Sequence, residues 1–397
     1  MHLSHLALSD FRNYHEAVVE FEPGVMVLIG ANGQGKTNLV EAIAYLGTFS
    51  SHRVAADSAL VRAGTPGAVV RARAIGGGGR ANTLELEIIS GKANRARLNR
   101  APVRPRDLLG IVRTVVFAPE DLALVKGDPG ERRRMLDELM VLRAPRLAGV
   151  KSEYEKILRQ RSALLKQLGG RGRSARRPDP YAESTLDVWD GQFAAAGAEI
   201  VVARAQLAAE LAPHVAAAYR AVADSDRLAR IELRASLEKE ETRLADQGAG
   251  EEAAGQDLTD VELVRERLIA AMQALRPAEM DRGVCLVGPH RDDLHLAIGD
   301  LPAKGYASHG ESWSLALALR IASFELLRSE DEDPPILILD DVFAELDLQR
   351  RRRLAAMVGE ADQVFVTAAV PADVPEELGG VRYVVVNGTI KREEEAA

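Results

Sequence analysis

Two short stretches hold residues whose types and spacing suit phosphate chemistry. Gly30 to Thr37 reads GANGQGKT and fits GxxxxGK[ST] at every fixed position, directly after the apolar run Val25 to Ile29. A strand, a Gly-rich loop and then a helix is the order in which such a loop cradles a triphosphate. Gly30, Gly33 and Gly35 let backbone N–H groups turn inward, with Ala31, Asn32, Gln34 and Asn38 completing the loop and its exit. Lys36 is placed to reach the β and γ phosphates, and Thr37 to offer its hydroxyl to Mg²⁺. The second stretch, ILILDD, ends a four-residue apolar run in Asp340 and Asp341. Asp340 reads as the acid that holds the Mg²⁺ shell from a strand neighbouring the P-loop strand. Asp341 reads as the carboxylate that orients or deprotonates the attacking water; the plainer reading is an acidic pair capping a helix.

A third stretch is SHGES, beginning at Ser308. It brings a hydroxyl, Gly310 and the start of a long apolar helix, which is again equipment for a phosphate. A P-loop already cradles the nucleotide, so a second cradle makes sense if it closes on the ATP of another copy, two chains sandwiching two nucleotides.

The elements between must bring these stretches together. HLSHLAL and AVVEFEPG, joined through DFRNYHE, read as strands, and VVRARAI and TLELEII continue them as an antiparallel lobe around the Gly76 to Gly79 turn. Ile111 to Phe117 is another strand, ended by FAPED. From Glu131 the pattern is helical and continues through Val150, Tyr154, Ile157, Leu164 and Leu168. A second helix carries Phe193, Ile200, Leu207, Leu211 and Val215. With the Arg-, Gly- and Pro-rich RGRSARRPDPYAEST as a loop between them, the two make an antiparallel helical hairpin. Leu228 to Leu237 reads as a strand and Glu238 to Asp257 as a mobile acidic linker. A helix starts at Thr259 and Asp260 and ends at Pro277; strands resume at GVCLVG, QVFVT and YVVV, and KREEEAA is a fraying tail. The expected fold class is α/β: a discontinuous ATPase head over 1–118 and 283–397, with an antiparallel β lobe, and a helical arm and signature-lobe insertion over 119–282.

Composition sets bounds. The 397 residues carry a net charge of -8, so overall charge does not advertise nucleic acid, and any such contact must come from local patches. Arg171, Arg173, Arg176 and Arg177 crowd the hairpin tip, and Arg95, Arg97, Arg100, Arg104 and Arg106 the β lobe. Either cluster is a DNA contact or a solvated, partly paired surface. The single cysteine, Cys285, excludes disulfides within the chain and reads as a buried, inert thiol. No export signal or membrane span is legible, and a cytoplasmic location is expected.

The stretches DFRNY, IGANGQGKTNLVEAI, FAPEDLALVKGDPGERRRMLD, GPHRDDL and ILILDDVFAELD, in this order, resemble motifs of the SMC-like branch of the ABC ATPases and, within it, of the RecF family of bacterial DNA replication and repair proteins. The resemblance runs from end to end. It implies a weak, DNA-stimulated ATPase that dimerises with ATP, binds duplex and gapped or junction DNA, and works with RecR and RecO to bring RecA onto SSB-coated strands in the nucleoid, as part of the response to DNA damage and the SOS response. By resemblance Lys36 and Thr37 are phosphate and Mg²⁺ ligands, Asp340 the Walker B acid and Asp341 the catalytic acid. Ser308 and Gly310 are the signature that meets the γ-phosphate in trans, with Asp347 in the loop after Walker B. Departures are the signature SHGE, and Asp341 and Thr367 where many relatives have Glu and a switch His. A small-molecule kinase, a transporter subunit and an SMC-type DNA bridge are the competing readings; the last needs a far longer coiled coil.

Overall fold

The computed structural model describes residues 1–169, 180–223, 226–246, 257–330, 333–359 and 361–393. The chain forms two compact units: Met1–Lys126, His214–Ala229 and Gly305–Ala397 make the first, Gly127–Pro213 and Arg230–Lys304 the second.

The first unit holds two six-stranded sheets. In one, His2–Phe11 pairs antiparallel with Tyr14–Glu20 and with Gly67–Ile75, and Ala81–Ile89, Arg95–Leu98 and Ala101–Val103 follow in turn. The other runs in the order Thr389–Arg392, Val381–Val386, Gly24–Ile29, Gln363–Ala368, Ile336–Leu339, Thr114–Phe117, parallel except for the first strand. Parallel strands covered on both faces are apolar throughout. Met26, Leu28, Ile336, Ile338 and Phe365 face a core that they share with Leu39, Ile43 and Leu46 of the P-loop helix Lys36–Thr48 and with Leu3, Leu6, Leu84 and Leu86 of the antiparallel sheet. The P-loop helix is thereby buried between the sheets. The helix His309–Glu330 is buried along nearly all its length, with Trp313 edge-on to Phe117, as its apolar surface on several faces predicts.

Three expectations change here. The P-loop and Walker B strands are not neighbours, because Gln363–Ala368 lies between and pairs with both. The tail does not fray from Lys391: Thr389–Arg392 pairs with the strand before it through an Asn387-Gly388 hairpin. The strand at Ile111 begins only at Thr114.

In the second unit the helix Leu147–Leu168 and the part of the helix Pro180–Ala223 up to Pro213 run antiparallel where they meet, with contacts at Arg146–Glu199, Tyr154–Phe193 and Arg161–Asp190. The expected loop is partly helical, since the second helix starts at Pro180, where a proline needs no donor partner. The first helical run is broken before Leu147, where Pro145 follows the end of Pro129–Arg143. A third helix, Val261–Arg282, joins them, capped by Asp260 accepting from the N–H groups of Glu262 and Leu263. Pro277 does not end it: Pro277 and Gln273, the residue whose carbonyl a proline four positions on cannot serve, both lie on the exposed side of the helix. The acidic stretch is also helical over Ser236–Asp246, held by buried Leu237 and by the Glu241 carboxylate accepting two bonds from Arg267. GVCLVG is not a strand; the strand is Asp293–Ile298, in a three-stranded sheet with Ala229–Arg234 and Leu301–Pro302.

GPHRDDL forms a buried junction in this unit. Asp292 accepts from Ser236 N–H and from Arg204, which also donates to Asp137, and Arg132 forks onto Asp293. His290 accepts from the Tyr154 hydroxyl at 2.7 Å and faces the Cys285 carbonyl at 3.3 Å, while Arg291 donates to that same carbonyl. Burial pushes the His290 pKa down to about 4, with Arg291, Arg133 and Arg161 adding to the effect. Cys285 is buried and burial pushes its thiol up, which fits an inert role.

Candidate functional site

The P-loop has glycine where no other residue fits. A Cβ at Gly30 would stand 2.3 Å from the Val385 carbonyl of the adjacent strand. Gly35 has φ +118, and a Cβ there would meet the Tyr14 hydroxyl at 2.9 Å. Lys36 is 3% exposed and donates to Gly30 O at 2.7 Å and Ala31 O at 3.3 Å, so its ammonium sits inside the loop. Ala31, Asn32 and Gly33 are exposed at the loop's crest.

The Walker B acid joins this loop from 303 positions away. Thr37 Oγ1 donates to Asp340 Oδ1 at 3.0 Å, and Thr367 Oγ1, at the end of the intervening strand, donates to the same oxygen at 2.6 Å. Thr367 also accepts from the Asp341 N–H at 2.8 Å, so one hydroxyl fixes both acids. Burial pushes the Asp340 carboxyl pKa up, the Thr367 bond opposes this, and the Asp341 charge adds to it. A hydroxyl and a carboxylate converging with only oxygen donors suit a hard cation such as Mg²⁺. Asp341 has φ 51, a left-handed conformation in which Asp and Asn are enriched over other side chains. A short acid therefore fits this backbone.

A layer of contacts supports the loop, made by Asn13, Tyr14, Arg12 and Glu41, which spacing alone did not single out, together with Gln34 and Asn38 of the loop itself. Tyr14 donates to Gly35 O at 2.9 Å, Asn13 to Gln34 O at 3.2 Å, and Asn38 to Asn13 Oδ1 at 2.7 Å. Gln34 is clamped to the carboxy-terminal hairpin, its Oε1 accepting from Asn387 N–H and its carbonyl from Gly388 N–H. Glu41, fully buried on the P-loop helix, accepts a fork from Arg12 at 2.8 and 2.6 Å and a bond from Ser51 at 2.5 Å. Burial alone would raise the Glu41 pKa, but the Arg12 and Ser51 bonds outweigh it and hold the carboxyl below its ordinary value. The motif DFRNY was visible in the sequence; that it props a loop some twenty residues on was not.

Gly310 and Asp347 come together at Arg350, with Ser308 at the start of the same helix as Gly310. Ser308 caps the long helix as half of a capping box: its Oγ accepts from Glu311 N–H at 3.2 Å and Glu311 accepts from Ser308 N–H at 2.9 Å. Asp347 caps the helix Leu348–Val358 and pairs with Arg350 at 3.3 Å, and that guanidinium lies 3.3 Å from where a Gly310 Cβ would be. Thus SHGE has a local structural role in addition to any ligand.

The β-lobe arginines are spent partly on neighbours. Arg97 pairs with Glu85 at 2.9 Å and Arg95 with Glu87 at 3.7 Å, across the strands that the register sets opposite. Arg100 sits in the turn after Arg95–Leu98 with φ 73. Arg171, Arg173, Arg176 and Arg177 lie outside the described residues.

Comparison with known proteins fits this geometry. Residues 2–376 match the model of the RecF/RecN/SMC N-terminal domain family. The DNA replication and repair protein RecF of Beutenbergia cavernae is 57% identical over 99% of this chain and 100% of its own length. Among solved structures, the recombination mediator protein RecF-ATPrS in the RecFOR pathway matches with a TM-score of 0.84 and 26% identity, over 98% of both chains. Its RecF-ATP counterpart matches with a TM-score of 0.83 and 25% identity, over 99% of both. No helix among the described residues is long and apolar enough to cross a membrane. With the split P-loop and Walker B joined through Thr37 and Asp340, and relatives alike over their whole length, the chain belongs to the RecF/RecN/SMC family and, within it, to RecF.

Proposed function

We propose that this chain binds ATP with Mg²⁺ at the Gly30 to Asn38 loop, hydrolyses it slowly, and as an ATP-induced dimer binds gapped and junction duplex DNA in the cytoplasm during recombinational repair and replication restart. The observation that carries the reading is the Thr37–Asp340 contact, which unites hydroxyl and carboxylate beside a buried lysine. Lys36 neutralises phosphate charge, Thr37 and Asp340 hold the metal, and Asp341, oriented through Thr367, positions the attacking water. The metal withdraws charge from the phosphates when bound. Ser308 and Gly310 then close on the partner's nucleotide, with Asp347 beside them. By analogy with relatives of the RecFOR pathway, RecR and RecO are the expected partners and loading of RecA on SSB-coated DNA the outcome. Arg95, Arg97 and Arg100, or the tip arginines, supply DNA contacts.

Light scattering of the full chain with and without ATP and gapped duplex DNA tests this. A mass that doubles with ATP and rises further with DNA is expected; a monomer under all conditions overturns the dimer. ATP that fails to bind would remove the P-loop reading itself.

A further inference from the structure

The second residue of SHGES faces a donor where it needs an acceptor. His309 begins the long helix His309–Glu330, and Trp313, one turn on, donates its indole N–H to His309 Nε2 at 3.0 Å. An indole can only donate, so Nε2 is the accepting nitrogen and the hydrogen of the neutral ring sits on Nδ1. Lys126 Nζ stands 3.2 Å from that Nδ1. An ammonium has three donors and no acceptor, so two N–H groups face each other and neither can serve the other. Moving the ring hydrogen to Nε2 only shifts the conflict to Trp313. Both Lys126 and His309 are exposed, and Lys126 pairs with no carboxylate among the described residues.

One helix fixes both donors. Trp313 is buried and packs edge-on to Phe117, which anchors the His309 ring through its Nε2. Further along the same helix Arg320 donates twice to Asp121 Oδ1, at 3.0 and 2.6 Å, and Asp121 leads directly into the short helix Leu122–Lys126.

We propose that His309 Nδ1 and the Lys126 ammonium together grip one oxygen of the terminal phosphate of an ATP held by a second copy of this chain. An anionic oxygen accepts from both and removes the conflict. Nitrogens 3.2 Å apart can both reach one such oxygen at the ~2.8 Å of charge-assisted bonds. This rests on the reading that Ser308 and Gly310, on either side of His309, close on the partner's nucleotide, and it adds a cation and a donor that select triphosphate over diphosphate.

Lys126→Met removes the ammonium from an exposed side chain and leaves the His309–Trp313 bond, so the variant should melt as wild type does. With ATP and no DNA, light scattering over a range of protein concentrations should show the dimer dissociation constant raised about tenfold or more, while ATP affinity of the monomer changes by less than about twofold. With ADP the two proteins should not differ. Lys126→Arg, which keeps a cation, should recover most of the dimer. His309→Gln and His309→Glu can both accept from Trp313, but only Gln keeps an N–H, so the dimer should survive in the first and fail in the second. Should methionine disturb folding, Lys126→Gln carries the same comparison. A Lys126→Met dimer as tight as wild type, an equal effect with ADP, or monomer ATP binding that falls in step would overturn the proposal. Wild-type protein that binds ATP yet stays monomeric would instead refute the dimer reading beneath it, so the two failures stay distinct.

Discussion

Thr367 holds Asp340 by a 2.6 Å hydrogen bond at the end of the strand that separates the P-loop strand from the Walker B strand. The two halves of the phosphate site meet across that strand, and its last hydroxyl closes the gap. Thr367 is therefore the joint between acids that come from one part of the chain and a loop that comes from another.

Thr367→Val keeps the shape and removes the hydroxyl. Asp340 then keeps only the Thr37 bond, and the Asp341 N–H loses its acceptor. Hydrogen bonds to charged groups are worth roughly 1.5 to 3 kcal/mol, so single-turnover hydrolysis should fall about tenfold or more while ATP affinity changes less. Hydrolysis at the wild-type rate would show that Thr367 merely fills space.

Asp341→Asn tests the acid itself. The backbone there has φ 51, a conformation that Asn tolerates at least as well as Asp, so the variant should fold without added strain. ATP binding and the dimer should persist and hydrolysis should be lost. Full hydrolysis by the variant would assign the water-orienting role to another group.

What the sequence made legible was local. Val25 to Ile29, the glycine loop and the helix with Leu39, Ile43 and Leu46 carry their own periodicities, and so does ILILDD. Strand order was not legible, because Val25 to Ile29, Ile336 to Leu339 and Val364 to Val366 are all apolar on both faces and nothing in such a run specifies its neighbour. Pro277 misled because its effect depends on which side of the helix faces water. The Ser236–Asp246 helix was hidden because an ion pair with Arg267, distant in sequence, anchors a segment with little apolar surface. The role of Arg12 was hidden likewise: its partner Glu41 lies 29 positions on, inside a helix already explained by its phosphate-binding start.

In the second unit, His290 should make folding sensitive to mild acid. Its folded pKa of about 4 lies below the ordinary 6.5, so the unfolded chain takes up the proton first as pH falls. The stability it supports is intact above about pH 6.5 and is lost progressively as pH falls toward 4, by roughly 3 kcal/mol in all. Buried Asp292, whose pKa burial raises, acts with opposite sign in acid, so wild type must be compared with a variant. His290→Gln can keep a bond to Tyr154 without titrating. Urea unfolding from pH 7.5 to 4.5 should show a shallower loss in the variant, and parallel curves would exclude His290 as the source.

The signature helix offers the sharpest separation of structural from ligand roles. Ser308→Ala removes a helix cap and should lower stability by about 1 kcal/mol whatever the function. Ser308→Asp instead preserves the cap, since Asp serves there as well as Ser, and a negative charge suits the helix N-terminus. Repulsion from Glu311 is moderated because that carboxylate already pairs with Arg227 at 2.7 Å. The Asp variant should therefore melt near the wild-type temperature and bind ATP as a monomer with unchanged affinity. What it should lose is the dimer, because its carboxylate would face the triphosphate held by the partner's P-loop. Light scattering with ATP measures this directly. An Asp variant that dimerises as well as wild type would leave SHGE as a capping box alone and take the helix out of the partner's nucleotide site.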